Sequence, residues 1–419
     1  LLSSHFQVKF FYGILIMFRQ TNVKEQNAQP IDYIFDTDIG NDFDDTGALI
    51  LAMHSHSKPL AVTTVHTEPM KKAKIAKLVM SECGFTSIPV YAGIGCTRQD
   101  PKEKFLQQNP FFPARFGFPN PDQGEKKWHD KQAQAYEGEY GQEFDKMKIE
   151  KESASEFIAK IAKKYSSSNK LTIVAIGPLH NISAALELDP SIANNIKLVS
   201  MGGLHPKGYN WLISPQVSEK VLSKVETVVI TSDLIAKNNF FISAEELAKI
   251  IEKTHSKFGK TVIKDWKNWH QADYFGKSNT NLYDPVTLFL ALHPEYISAT
   301  ESMRVQFPCL MNGKVQPKFM NRPYFDPELK GTIISATEDK QSQIRFVTKV
   351  NSPEYIRTNV VSAITGRLTQ MPKPLLHQRF SNRKIGLCIG IAAVGIGLFA
   401  RRMLSQPVGK LSATPVAKL

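Results

Sequence analysis

The sequence predicts an α/β protein: a mostly parallel, open, doubly wound sheet with helices on both faces, followed by a C-terminal hydrophobic segment that reads as a transmembrane helix. Three observations predict it. Between Ile31 and Leu368, short β-branched runs alternate with helical stretches, the pattern of parallel strands joined by crossover helices. The 419 residues are 42% hydrophobic and 22% charged, enough for a large core and unlike a disordered or polytopic membrane chain. Directly after the first strand stands a cluster of aspartates, at the place where open α/β sheets bind ligands.

The strands are read at Tyr33–Phe35 (YIF), Leu60–Val65 (LAVTTV), Leu171–Ile176 (LTIVAI), Lys197–Met201 (KLVSM) and Val228–Thr231 (VVIT), with a late strand, Gln343–Val350 (QIRFVTKV), closing the sheet edge. Helices are read at Asp45–His54, Met70–Cys83, Glu152–Tyr165, Asn181–Leu188, Pro215–Ser223, Ala244–His255 and Asp284–Leu292. Residues 97–149 break the alternation with aromatics, prolines and charges, and read as an insertion that serves as a lid. The domain plan is a lead-in over 1–30, one domain over 31–370, a basic linker over 371–384, an anchor over 385–401 and a short basic tail over 402–419.

The formal charge is +13, yet eight of those charges lie beyond Pro372, where no acid is present. The body is near neutral and has no Arg-rich run interleaved with aromatics, which excludes a nucleic-acid footprint. The basic tail flanks IGLCIGIAAVGIGLFA, Ile385–Ala400, sixteen uncharged residues between Arg383-Lys384 and Arg401-Arg402. As a helix this segment spans roughly 24 Å at about 1.5 Å per residue, short of a hydrocarbon core of about 30 Å, so snorkelling arginines or a thin bilayer complete it. The competing reading is a glycine-rich buried helix. Phe10–Phe18 is too short to span and is followed by no small-x-small cleavage site. Met17 is the expected start, which places the body of the protein in the cytoplasm, tethered to a membrane by its C-terminal segment. Four cysteines lie far apart without a C-x-x-C pair, which argues against a zinc cluster or a disulfide framework.

The chemistry concentrates in YIFDTDIGNDFDDTGALILA, where Asp36, Asp38, Asp42, Asp44 and Asp45 fall within ten residues. Helix capping accounts for Asp44 and Asp45 at most. Five acids on one loop make sense around a hard cation, and oxygen-only ligands point to Ca²⁺, or less readily Mg²⁺, rather than zinc. Such a cation takes six to eight oxygens, so distant partners are needed. Asp284 before a helix is a candidate, although Pro285 after it also suits a plain N-cap.

This loop, DTDIGNDFDD, resembles the opening D-x-D-P-G-x-D-D signature of the inosine-uridine nucleoside hydrolase family, with Ile39 for the proline and two extra residues before Asp44-Asp45. Further stretches follow in the family's order: AVTTV, IPVYAG, GPLHNISAAL, MGG leading to Tyr209-Asn210, and YDPVTLFLAL. The resemblance covers about residues 31–368. It implies calcium held by Asp38, Asp45, Asp284 and the backbone carbonyl of His180, with Asp42 a further candidate on the loop. It also implies Asp38 as general base on a metal-held water, and Asp44 and Asn210 on the ribose hydroxyls. The implied reaction is hydrolysis of a ribonucleoside's N-glycosidic bond to ribose and free base. The expected partners are a nucleoside and further copies of the chain, with no nucleic acid.

Several positions depart from the family pattern. Tyr283 stands where a histidine assists the leaving base, and a phenol is a weaker acid than imidazolium. His129 in the insertion is a substitute, though a lone loop histidine is more often surface. Gly208 replaces an acid that grips the 5′-hydroxyl, so His205 or Lys207 is expected to admit a 5′-phosphate or a larger extension. Trp211, next to Asn210, is a candidate substrate contact. Two rival readings stand beside this one. The first is a membrane-tethered ribose-binding pseudoenzyme that lacks the leaving-group acid. The second is a haloacid-dehalogenase-type phosphatase with Asp36 as nucleophile, against which Gly40 and the Asp44-Asp45 pair speak.

Overall fold

The computed structural model describes residues 30–40, 43–95, 133–203, 209–269, 279–306, 310–311, 314–315 and 335–369. The sheet strands are β1 (Tyr33–Thr37), β2 (Ala61–Thr64), β3 (Val90–Ala92), β4 (Leu171–Ala175), β5 (Ile196–Gly202), β6 (Glu226–Thr231), β7 (Ile297–Gln306), β8 (Ser335–Glu338) and β9 (Ile344–Val350). The helices of eight residues or more are α1 (Phe43–His54), α2 (Pro69–Glu82), α3 (Ala154–Ala162), α4 (His180–Leu188), α5 (Pro215–Leu222), α6 (Ala244–Lys253), α7 (Lys257–Trp269), α8 (Tyr283–Leu292) and α9 (Pro353–Thr369).

The sheet runs β8-β7-β9-β6-β5-β4-β1-β2-β3. From β9 to β3 every neighbouring pair is parallel, while β7 runs antiparallel to both β9 and β8. Strands covered on both faces need apolar side chains on both, and β1 shows it: Tyr33 and Phe35 enter one core, Ile34 the other. The first core also takes α1, α2, α8 and α9; the second takes α3, α4 and α5. The chain leaves β1 toward β2 and β3, then returns to the other side of β1 as β4. The loops after β1 and β4 therefore diverge at their carboxyl ends and leave a crevice.

Three expectations change. The late strand does not close the edge: β9 sits between β6 and β7, and β8 lies farther out still. α1 begins at Phe43, two residues before the expected start, so Asp44 and Asp45 both lie in its first turn. Of the expected lid, residues 97–132 lie outside the described residues. Residues 133–149 are tied to the body, with Tyr136, Tyr140 and Phe144 buried in the first core and Glu150 N–H donating to the Val90 carbonyl at 2.9 Å. The hydrophobic segment 385–401 also lies outside the described residues, and among the described residues no helix is long and apolar enough to cross a membrane.

Candidate active site

Asp36, the last but one residue of β1, is fully enclosed. Its Oδ1 accepts from Thr63 Oγ1 at 2.5 Å and from Asn181 Nδ2 at 2.7 Å. The same Asn181 amide donates to the Thr64 carbonyl at 3.0 Å, and its Oδ1 accepts from Ile94 N–H at 2.9 Å. One side chain from α4 thus laces β1, β2 and the turn after β3. Burial pushes the Asp36 carboxyl up to about 7, against the two hydrogen bonds, and the charge of Asp38 adds to the rise. Gly93 makes the lacing possible, because a Cβ there would lie 2.1 Å from Asn181 Oδ1 and 2.4 Å from the Thr64 carbonyl. Gly93→Ala is expected to destabilise the protein by about 1–3 kcal/mol, the usual cost of overpacking a filled interior. A urea denaturation midpoint equal to that of the wild type would contradict this.

Beyond β1 the acids gather. Asp44 and Asp45 in the first turn of α1 and Asp284 in the first turn of α8 each offer a carboxylate oxygen, all within 4.8 Å of one another and all buried. Asp44 Oδ2 accepts from Asp284 N–H at 3.3 Å, so it serves a backbone donor that the first turn of α8 leaves without an intrahelical partner. Both helix N-termini point their dipoles at the cluster. Thr37 Oγ1 donates to Asp45 Oδ1 at 2.5 Å and accepts from Ile39 N–H at 3.1 Å. Burial, then the charges of Asp38 and Asp44, hold the Asp45 carboxyl well above the usual range, with Thr37 and Lys72 opposing. Asp38 lies beside Gly177 in the turn after β4, where a Cβ would meet Asp38 Oδ1 at 3.0 Å and Asp38 N at 3.1 Å. His180, three residues on, opens α4. The site therefore occupies the crevice between β1 and β4.

A scan against family descriptions matches residues 33–357 to "Inosine-uridine preferring nucleoside hydrolase". The chain belongs to this family. Its members are N-glycosyl hydrolases. Among relatives, "Probable uridine nucleosidase 2" of Oryza sativa subsp. japonica is 28% identical over 157 residues, 35% of this chain and 46% of that protein. "Pyrimidine-specific ribonucleoside hydrolase RihA" of Escherichia coli is 25% identical over 158 residues, 36% of this chain and 50% of that one. The chain thus spans about half the length of the curated relatives it matches. Among solved structures, "Purine-Preferring Ribonucleoside Hydrolase from Gardnerella vaginalis" superposes with TM-score 0.55 at 18% identity, covering 81% of this chain and 99% of that one, a likeness of fold.

Within this nucleoside hydrolase fold the expected residues sort as follows. Asp38, Asp45, Asp284 and His180 come to the same end of the sheet. Asp44, expected on ribose, is one corner of the tight acidic trio, and Asp38 stands next to it. Asn210 lies half-buried on a short helix, Tyr209–Leu212, and donates to the Ile176 carbonyl at 2.6 Å and the Met201 carbonyl at 3.3 Å, tying the ends of β4 and β5. Tyr283 Oη accepts from Asn281 Nδ2 at 2.7 Å. Trp211 is a correction: its ring is fully buried in the second core, edge-on to Phe346, and its indole N–H donates to Ser200 Oγ at 3.1 Å. It packs the core instead of facing a substrate. Asp42, His129 and Lys207 lie outside the described residues. The phosphatase reading ends here, since family membership excludes it and an enclosed, doubly hydrogen-bonded Asp36 is no nucleophile.

The donor set fits a hard divalent cation: three buried carboxylates repel one another at 4.8 Å or less, and all offer oxygen. Sequence reasoning missed Asn181, although it follows His180 in GPLHN, and missed Lys72. The signal for Lys72 was present. It shares an i, i+3, i+4, i+7 stripe with Ile75, Ala76 and Val79, and all four are buried on one face of α2.

Proposed function

We propose that this chain hydrolyses the N-glycosidic bond of ribonucleosides, releasing ribose and free base, and that it depends on Ca²⁺. The observation that supports this most directly is the meeting of Asp44 and Asp45 with Asp284, from opposite ends of the domain, beside Asp38 in the crevice between β1 and β4. Asp38, Asp45, Asp284 and the His180 carbonyl would hold the cation, with Asp42 on the same loop. When bound, it supplies charge compensation and makes an attacking water more acidic. Asp38 accepts that water's proton as it adds to the anomeric carbon. Asp44 and Asn210 orient the ribose hydroxyls, and the surrounding carboxylates stabilise positive charge as the bond to the base breaks. The leaving base takes a proton from Tyr283 or His129. In this reading Lys207 admits a 5′-phosphate, and the segment 385–401 anchors a cytoplasmic domain, assembled with further copies of itself, to a membrane.

The test is release of base and reducing sugar from a panel of nucleosides and their 5′-monophosphates, with calcium or with chelator. Calcium-dependent release supports the proposal. Inosine 5′-monophosphate is expected to outperform inosine in kcat/KM, with the preference lost in Lys207→Ala; equal values in the wild type would remove the 5′-phosphate reading. A second reading, a ribose-binding protein without turnover, rests on Tyr283 being a phenol, a weaker acid than imidazolium, at the leaving-group position. Ribose binding with no base release from any substrate would establish it.

A further inference from the structure

Lys72, in the first turns of α2, has no exposed surface. Its ammonium donates to the carbonyl of Asp38 at 2.5 Å and to that of Ile39 at 3.2 Å. These are the backbone groups of the turn that carries the expected general base. An ammonium removed from water is costly unless charge and hydrogen bonds compensate it. Here the compensation comes from those two carbonyl oxygens and from carboxyl groups on two further elements. Asp45 in α1 and Asp265 in α7 lie near enough to act on the ammonium electrostatically. A fixed positive charge therefore lies under the same loop whose acids converge on Asp284, a place where carboxylates alone would repel one another.

We propose that Lys72 is a positioning residue and an internal counter-ion: its ammonium fastens the Asp38–Ile39 turn and offsets part of the carboxylate charge, so that the cluster stays assembled while no cation is bound. This rests on the reading that the cluster takes a divalent cation. The same positive charge opposes a cation, so Lys72 sets the affinity of the site below what its acids alone would give. An ordinary structural tie would make a different prediction, since losing it would weaken the empty and the loaded protein alike.

The experiment uses the full chain, stripped with chelator, and Ca²⁺ alone as the probe, reading thermal midpoints and calcium affinity by calorimetry. Lys72→Met keeps the apolar stem and removes the charge. Lys72→Gln keeps a donor for the two carbonyls and also removes the charge. Both are expected to melt below the wild type when stripped, to close most of that gap in saturating calcium, and to bind calcium about tenfold more tightly, as the loss of a nearby positive charge implies. Lys72→Arg is expected to restore wild-type affinity. Should Lys72→Met fail to fold, Lys72→Gln carries the same comparison. The proposal is overturned if the variants lose equal stability with and without calcium, if they bind calcium more weakly, or if Lys72→Gln behaves as the wild type. A wild-type chain whose melting ignores calcium would instead overturn the cation reading and this proposal with it. A calcium shift in the wild type that the variants leave unchanged overturns the proposal alone.

Discussion

Asp38→Asn is expected to lower base release by on the order of 10³-fold or more while leaving the fold intact. The substitution keeps the shape of the side chain beside Gly177, where a Cβ would meet Asp38 Oδ1 at 3.0 Å, and removes the charge and the basicity. Loss of a general base alone is worth about 10²–10⁴-fold, and Asp38 is also one of the residues proposed to hold the cation. The fold should survive because Lys72 holds this turn through its backbone carbonyls, which the substitution does not touch. Single-turnover base release, together with a thermal midpoint within a few degrees of the wild type, checks both halves. Turnover within tenfold of the wild type would remove Asp38 from the mechanism.

Asp45→Asn is expected to remove most activity while leaving the stability of the stripped protein nearly unchanged. Base release should fall by on the order of 10³-fold, because an amide oxygen is a poorer partner for a hard cation than a carboxylate. The stripped protein should change in stability by no more than about 1 kcal/mol, since relief of the repulsion from Asp38 and Asp44 is offset by loss of charge beside the buried Lys72. Asn can still accept from Thr37 through its Oδ1, so the hydrogen bond that positions this side chain is retained. The calcium-induced rise in melting temperature should shrink or disappear. A stripped variant less stable than the stripped wild type by clearly more than this would show that the Asp45 carboxylate is held by contacts stronger than the repulsion around it.

What the sequence revealed follows from where each residue's neighbours come from. The parallel strands were legible because runs such as LTIVAI are apolar on both faces, as burial between two helix layers demands. β7, ISATESMRVQ, was not, because an antiparallel strand near the sheet edge mixes Glu301 and Arg304 with apolar residues and shows no continuous hydrophobic run. α7 and α9 were also missed. The acidic loop announced itself through composition, five aspartates where repulsion needs an explanation. Asn181 did not, since an Asn on a helix is ordinary until the fold carries it inward, and Lys72 showed only through its place in the apolar stripe of α2. Trp211 misled for the converse reason: adjacency to Asn210 along the chain says nothing about which way a helical neighbour points, and this one points into the core.

The hydrogen bond from Asp284 to Asp44 joins residues 240 positions apart. A contact of such separation depends on the strands between having paired, since only then do its ends meet without closing a long free loop. The acidic centre is therefore absent from a nascent chain until α8 has emerged and docked. On the proposed reading, cation capture would await completed folding, and a chain stalled before α8 would lack the third carboxylate of the site.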